Sequence, residues 1–316
     1  MRLAALLPAL LAAMPVLAQR AELPIKRVTL SNGDRRYSVT VVIDGQPVEA
    51  GLDTGSTGLR VLAASLPQAA GKHGESVRIS YGSGVEFTGA SLPISLGLGS
   101  LPAGTARVQR IDKVACVASV PDCPGRERVE AAGYRIQGDG LPGEGFVAIV
   151  GIGMRADPIG NPLVALGVKR WIVDLPRPGE DAPGRLVLNP DAAEVARYRQ
   201  FGFMGDTNQI AGCIVAGSAK LCAPAVIDTG AQGLRVQGGK PEQILAPGTA
   251  AQIVVGDDRA TASMPVTIGR RDQASAMRLY PARRAGELTL SLGLAPYFHW
   301  SVLYDAEHRR FGLADR

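Results

Sequence analysis

Three observations predict an all-β protein built as two related halves. Apolar and polar residues alternate with period two through most of the 316-residue chain, and Asp-Gly and Gly-rich turn signals separate the alternating runs. Helical spacing is confined to two short stretches, 161–168 and 191–201. The segment "GLDTGSTGLRV", Gly51 to Val61, returns as "VIDTGAQGLRV", Val226 to Val236.

In chain order, one cationic residue is followed by an uncharged apolar stretch from Leu3 to Ala18 with a small-residue cleavage site at Val16-Leu17-Ala18. This is the pattern of a signal peptide over 1–18, so the mature chain is expected in the periplasm or outside the cell. The stretch falls short of the roughly 20 residues that cross a bilayer, and Pro8 and Pro15 interrupt it, so no stable membrane anchor is expected. "RYSVTVVIDGQPVEAGLD" reads as two strands joined at Asp44-Gly45 and ending in Asp53. "SVRISYGSGVEFTGASLPISLG" reads as a second strand pair with a Gly-rich turn. The Pro/Gly-rich 175–185 is expected to divide the chain into halves at 19–183 and 184–316. "GRLVLNP", "AQIVVGDDRATASMPVTIG", "GELTLSLG" and "HWSVLYDAEHRRFGLAD" supply strands of the second half.

Composition narrows the function. The net charge of +5 comes from scattered arginine pairs such as Arg35-Arg36 and Arg309-Arg310, without a basic run or interleaved aromatics, so no nucleic-acid partner is expected. His73, His299 and His308 form no ligand pattern, and the cysteines lack Cys-x-x-Cys spacing, so neither a metal nor a cofactor is expected. Four cysteines allow three pairings; their even number, export signal and close spacing favour Cys116 with Cys123 and Cys213 with Cys222.

An Asp after an apolar strand, followed by a hydroxyl residue and Gly, describes a carboxylate at a tight turn that backbone N–H groups can meet. Two such turns with the same lead-in and the same Gly-Leu-Arg-Val exit imply that each half delivers one carboxylate, Asp53 and Asp228, to a shared two-fold axis. Carboxylates a few ångströms apart do not both ionise easily, so the pair holds one proton and can act as acid and base together.

These motifs resemble the pepsin-like aspartic proteases from about Ser31 to Arg316. "DTGS" resembles the family's first catalytic motif, and "ISYGSG", Ile79 to Gly84, its flap hairpin, whose Tyr is here Tyr81. "FVAIVGIGM", Phe146 to Met154, and Leu292-Gly293 resemble the strands that brace the two loops, and "CIVAGSAKLCAPAVIDTG" the hairpin leading into the second Asp. The resemblance implies a bilobal pepsin-like acid protease fold with two β-barrel-like lobes, acting as a monomer on polypeptides without a covalent intermediate. Asp53 and Asp228 would hold the attacking water; Thr54, Gly55, Ser56, Thr229 and Gly230 would shape the loops; Tyr81, Gly82 and Ser83 would touch substrate.

Three departures from the family pattern stand out. Arg60 occupies the position of the Trp that usually holds the flap Tyr, and Ala231 replaces a hydroxyl that usually donates toward the second carboxylate, whereas Ser56 keeps its counterpart. Loss of that donor is expected to raise the pH optimum, and Ala231→Thr to move the acidic limb down. The span from Ala18 to Asp53 leaves no room for the usual inhibitory propeptide, so activity is expected without trimming. Leu59, Val61, Leu234 and Val236 are expected in the core, and Arg60 and Arg235 at the surface or between lobes. Two rival readings are a noncatalytic binding protein of this fold and a single-lobe protease that must dimerise.

Overall fold

The computed structural model describes residues 19–69, 71–125, 133–257, 260–282 and 284–316; the expected signal peptide, 1–18, lies outside them. The chain is all-β. Its first strands are β1 (Ala21–Thr29), β2 (Arg35–Ile43), β3 (Gln46–Asp53), β4 (Thr57–Leu62), β5 (Glu75–Ser80), β6 (Val85–Gly97), β7 (Gly104–Cys116) and β8 (Ala148–Ile152). Helix α1 (Pro162–Ala165), β9 (Arg170–Asp174), β10 (Gly184–Leu188), α2 (Ala192–Ala196) and β11 (Arg199–Gly202) follow. Then come β12 (Ile210–Ala216), β13 (Ala219–Ile227), β14 (Leu234–Gln237), β15 (Ala250–Asp257), β16 (Ala260–Thr267), β17 (Met277–Tyr280) and β18 (Thr289–Gly293). Helix α3 (Ala295–His299), β19 (Trp300–Asp305) and β20 (Arg310–Asp315) complete the chain.

Local sequence accounts for these elements. In β2, buried Val39, Val41 and Ile43 alternate with exposed Thr40 and Val42. Asp44 and Gly45 adopt φ of 47° and 83°, the left-handed pair that a two-residue hairpin turn requires, and Ile43 lies opposite Gln46. Two disulfides close the short loops Cys116–Cys123 and Cys213–Cys222.

One strand arrangement occurs twice. β3 runs parallel to β8, β8 antiparallel to β4, and β4 parallel to β7. β13 likewise runs parallel to β18, β18 antiparallel to β14, and β14 parallel to β17. One Asp-Thr-Gly turn joins β3 to β4, and the other joins β13 to β14. The larger sheet runs β11-β20-β19-β9-β10-β1-β2-β3-β8-β4-β7-β6-β5, and the smaller β16-β15-β12-β13-β18-β14-β17.

The segment expected to divide the chain forms the connection between β9 and β10, which pair antiparallel, Arg185 opposite Asp174. Strands from both sides of residue 183 therefore share the larger sheet, with β19 on β9 and β10 on β1. The helix expected over 191–201 covers only Ala192–Ala196, where Asp191 and Glu194 form a reciprocal cap. Beyond it the chain turns to strand, because Phe201 is buried by pairing with β20 and stacking on Phe311 at 5.0 Å. Helix α1 is similarly short: Asn161 caps its start, and Gly167 at φ 77° follows its end.

A single apolar cluster joins Leu52, Leu59 and Val61 to Ile227, Leu234 and Val236, so the residues flanking both Asp-Thr-Gly turns share a core. A second cluster, with Leu62, Ile79, Phe87, Ile111 and Val114, lies against the β5–β6 hairpin. No helix of the described residues is long and apolar enough to cross a membrane.

Candidate active site

Asp53 closes β3, and Asp228 directly follows β13. Three donors converge on the Asp53 carboxylate. Gly55 N and Ser56 N donate to Oδ1 at 2.8 and 3.2 Å, and Ser56 Oγ donates to Oδ2 at 2.6 Å. Asp228 receives Gly230 N at 2.8 Å and, from β18, Ser291 Oγ at 3.5 Å, the outer limit of a hydrogen bond. The site is thus asymmetric: Ala231 adds no side-chain donor, and Ser291 partly stands in for one.

The two loops are locked to each other. Thr54 N donates to Thr229 Oγ1 at 3.1 Å and Thr229 N to Thr54 Oγ1 at 3.0 Å. Each hydroxyl then donates onward, Thr54 Oγ1 to Ile227 O at 3.0 Å and Thr229 Oγ1 to Leu52 O at 2.8 Å. Both threonines are buried, so these bonds fix one geometry where an unpaired group would cost about 1–3 kcal/mol. Tyr297 of α3 adds a bond from its hydroxyl to Thr54 Oγ1 at 2.7 Å and meets the Tyr304 hydroxyl at 2.7 Å.

Gly is required at two points by close approach. A Cβ on Gly55 would overlap the Asp228 carboxylate, and one on Gly230 would lie 2.9 Å from Asp53 Oδ1 and 3.1 Å from Asp228 Oδ1. The two carboxylates therefore flank one small space. Burial and then the Asp53 charge push the Asp228 pKa up to about 7, against the opposing pull of Arg235. Such a pair keeps one proton across acidic pH and offers a base and an acid on either side of a small molecule such as water.

A cavity of about 510 Å³ opens above the pair and is lined by Tyr81, Gly82 and Ser83 from the turn between β5 and β6. That turn is closed by Tyr81 N to Val85 O at 2.8 Å and Gly84 N to Tyr81 O at 3.0 Å. The disulfide loop supports it from behind: Val117 N donates to Gly84 O at 2.8 Å, and a Cβ on Gly84 would meet Val120 at 2.6 Å. The Tyr81 ring meets Phe87 edge-on at 5.2 Å, and its buried hydroxyl has no hydrogen-bond partner among the described residues. Burial pushes its pKa up to about 12, with Arg60 pulling the other way.

Arg60 does not lie at the surface. It is fully enclosed and pairs with buried Asp157 at 2.5 Å. It also donates to Thr57 O at 2.6 Å, Gly58 O at 3.2 Å and Gln109 Oε1 at 2.9 Å. The β5–β6 hairpin and its apolar cluster cover this strand, so a cation there survives only with a partner for nearly every N–H. Arg235 is half-buried on the cavity wall.

The structure thus gathers Asp53, Asp228, Thr54, Gly55, Ser56, Thr229, Gly230, Tyr81, Gly82 and Ser83 around one cleft, with the cysteine pairs outside it. Sequence reasoning missed Ser291, Tyr297, Asn208 and Gln137. Asn208 Nδ2 reaches Gly55 O at 3.0 Å, and the Gln137 side-chain amide lines the cavity with no partner among the described residues. Alternation in "LTLSLG" was a usable signal for Ser291, since buried Leu290 and Leu292 turn it to the opposite face. Nothing local marks Gln137 or Asn208. Among the described residues no cluster of His, Cys, Asp and Glu is arranged to hold a metal ion. A scan against protein-family models finds no match to this chain, and a search of curated proteins finds none either.

Proposed function

We propose that this chain is an aspartic endopeptidase of bilobal, pepsin-like fold that hydrolyses peptide bonds with a water held between Asp53 and Asp228. The observation that carries the reading is the pair of carboxylates facing each other across Gly55 and Gly230, on loops cross-bonded through Thr54 and Thr229, beneath a hairpin-covered cleft. The repeated strand arrangement supports two lobes that each contribute one Asp, and having both in one chain supports a monomer. Two disulfides support an oxidising, exported location.

In the mechanism, the shared proton rests on Asp228, whose carboxyl is held well above the usual range, while three donors converge on the Asp53 carboxylate. Asp53 takes a proton from water as its oxygen attacks the peptide carbonyl carbon. Asp228 donates its hydrogen bond, and then its proton, to the carbonyl oxygen as negative charge develops there. The proton on Asp53 passes to the leaving nitrogen as the C–N bond breaks, and ionised Asp228 takes a proton back from the gem-diol hydroxyl as the new carboxyl forms, which restores the starting pair. Tyr81 closes the cleft over the peptide and excludes bulk water.

The test is digestion of an unfolded protein at mildly acidic pH by the chain from Gln19 onward, refolded under oxidising conditions. Cleavage that pepstatin blocks and that Asp53→Asn abolishes is expected at once, without a lag or a shortened N-terminus. A folded chain that binds unfolded protein but never cleaves it would instead be the noncatalytic binder, and activity that depends on dimerisation would refute the single-chain reading.

A further inference from the structure

The cleft is chemically two-sided. Ile79, Phe87, Tyr134, Ile136 and Ile149 line the wall beneath the β5–β6 hairpin, and all five are buried apolar or aromatic residues. The opposite wall is polar. On β14, Leu234 and Val236 are fully buried in the core, so Arg235 and Gln237 point the other way, into the cavity, where Tyr280 and Thr289 join them.

Arg235 is the unusual member of that wall. Among the described residues it forms no salt bridge and donates no side-chain hydrogen bond; its one specific contact is with the Tyr280 ring, 5.3 Å from guanidinium carbon to centroid. A half-buried guanidinium carries five N–H donors in a planar fork that matches a carboxylate, and removing it from water without a partner is unfavourable. The ring beneath leaves the fork's edge open while holding its plane. Other charges on the cavity differ: Asp139 is engaged by Arg36, Arg155 and Arg284 are exposed to water rather than half-buried on a wall, and Glu287 accepts from the Arg284 backbone N–H.

We infer that the cleft selects peptides carrying an apolar side chain on one side of the scissile bond and an acidic side chain on the other, with Arg235 receiving the acid. This deepens the peptidase reading and rests on it. An extended peptide across the catalytic pair turns successive side chains to opposite faces, so the two residues flanking the bond divide between the two walls. The wall under the hairpin offers the apolar residue a dry surface. The β14 wall offers the neighbouring residue a cation that nothing else in the described chain neutralises by direct contact. Asp228 lies close enough to feel Arg235, yet it holds a proton in the resting pair, so the cation stays available to the substrate.

The experiment uses matched peptides containing Phe beside Glu, Gln or Lys, in both orders, at a pH where Glu is ionised. The Glu peptide of the productive order is expected to exceed its Gln counterpart in kcat/KM by about 10- to 100-fold, the range of one charge-assisted contact, chiefly through KM. High salt should reduce that ratio. Arg235→Met should bring it near one, and Arg235→Glu should favour Lys. Equal cleavage of Glu and Gln peptides by the unsubstituted chain overturns the inference, as does a preference that survives Arg235→Met. Binding of the same peptides to Asp53→Asn, followed by fluorescence anisotropy, separates the two readings. Selective, Arg235-dependent binding with no cleavage by the unsubstituted chain would sink the peptidase reading and leave the acid site standing; cleavage without selectivity would do the reverse.

Discussion

Arg60 and Arg235 occupy the same place in two copies of Gly-Leu-Arg-Val, yet one is sealed beneath a hairpin with Asp157 and the other stands open on the cleft wall. The backbones around them are alike, since both follow an Asp-Thr-Gly turn and both lie between a parallel and an antiparallel neighbour. What differs is the cover. In the first half the β5–β6 hairpin packs on the Leu62 face of β4, whose six residues are all buried; among the described residues β14 has no such cover and alternates buried with half-buried. A repeated motif therefore specifies chain path and carboxylate placement, while the element laid over it decides whether the same side chain is structural or available to a ligand. Ser56 and Ala231 teach the same lesson, because the missing hydroxyl is partly supplied by a different strand through Ser291.

The most severe test of this comparison treats the halves as equals. Asp53→Asn and Asp228→Asn should each lower kcat/KM for a peptide substrate by roughly 10⁴-fold, the upper end of general acid–base contributions, with the circular dichroism spectrum retained. A large loss in only one of them would make the carboxylates unequal in kind. Next, the two arginines should separate in urea unfolding. Arg60→Met leaves Asp157 buried without its cation and should cost about 3–5 kcal/mol, whereas Arg235→Met should stay within about 0.5 kcal/mol. Similar losses would mean that the hairpin is not what distinguishes them.

Smaller effects are expected where the halves touch. Thr54→Val and Thr229→Val should each destabilise by about 1–3 kcal/mol, and the double variant by less than the sum, because both remove members of one crossed network. Additivity in that cycle would argue that the two bonds act independently. The smallest effect concerns the proton. A donor to Asp228 stabilises its charged form and lowers its pKa, so the protonated form is lost at lower pH and the alkaline limb of kcat/KM moves down. Ala231→Ser should do this by up to about one unit, and Ser291→Ala should move the limb up. Ser fits position 231 better than Thr, because Ala231 is fully buried. In the proposed mechanism Asp228 is the acid, which places the effect on the alkaline limb rather than on the acidic limb expected from the Ser56/Ala231 asymmetry.

Much of this was legible in the sequence because it is written locally. The Asp44-Gly45 turn, the alternation of β2, the two short disulfide loops and the Asp-Thr-Gly repeat each need only neighbouring residues to be recognised. Arg60 was misread because its partners, Asp157 and Gln109, come from distant segments that only the fold assembles. The helix expected over 191–201 was overestimated for a related reason: its helical spacing is real, but pairing with β20 and the burial of Phe201 outweigh propensity in the last turn. The division expected near residue 183 falls in the connection between two strands that pair with each other, because Pro and Gly signal a turn without saying whether the flanking strands will pair.

The pairings of the larger sheet also set the order in which the molecule can be built. Ala21 to Ile25 are held by Gly184 to Leu188, and Arg170 to Val173 are held by Val302 to Asp305. Contacts this remote in the chain must close long loops before they return any free energy, which makes folding slow and keeps unpaired strand edges exposed in the meantime. The crossed threonine bonds add a further long closure, from Thr54 to Thr229. A nascent chain that has not yet delivered residues 300–315 therefore lacks the strands that complete this sheet. Tyr297, which donates to Thr54, lies just ahead of those strands, so the loop that carries Asp53 lacks this bond until the C-terminal residues have docked.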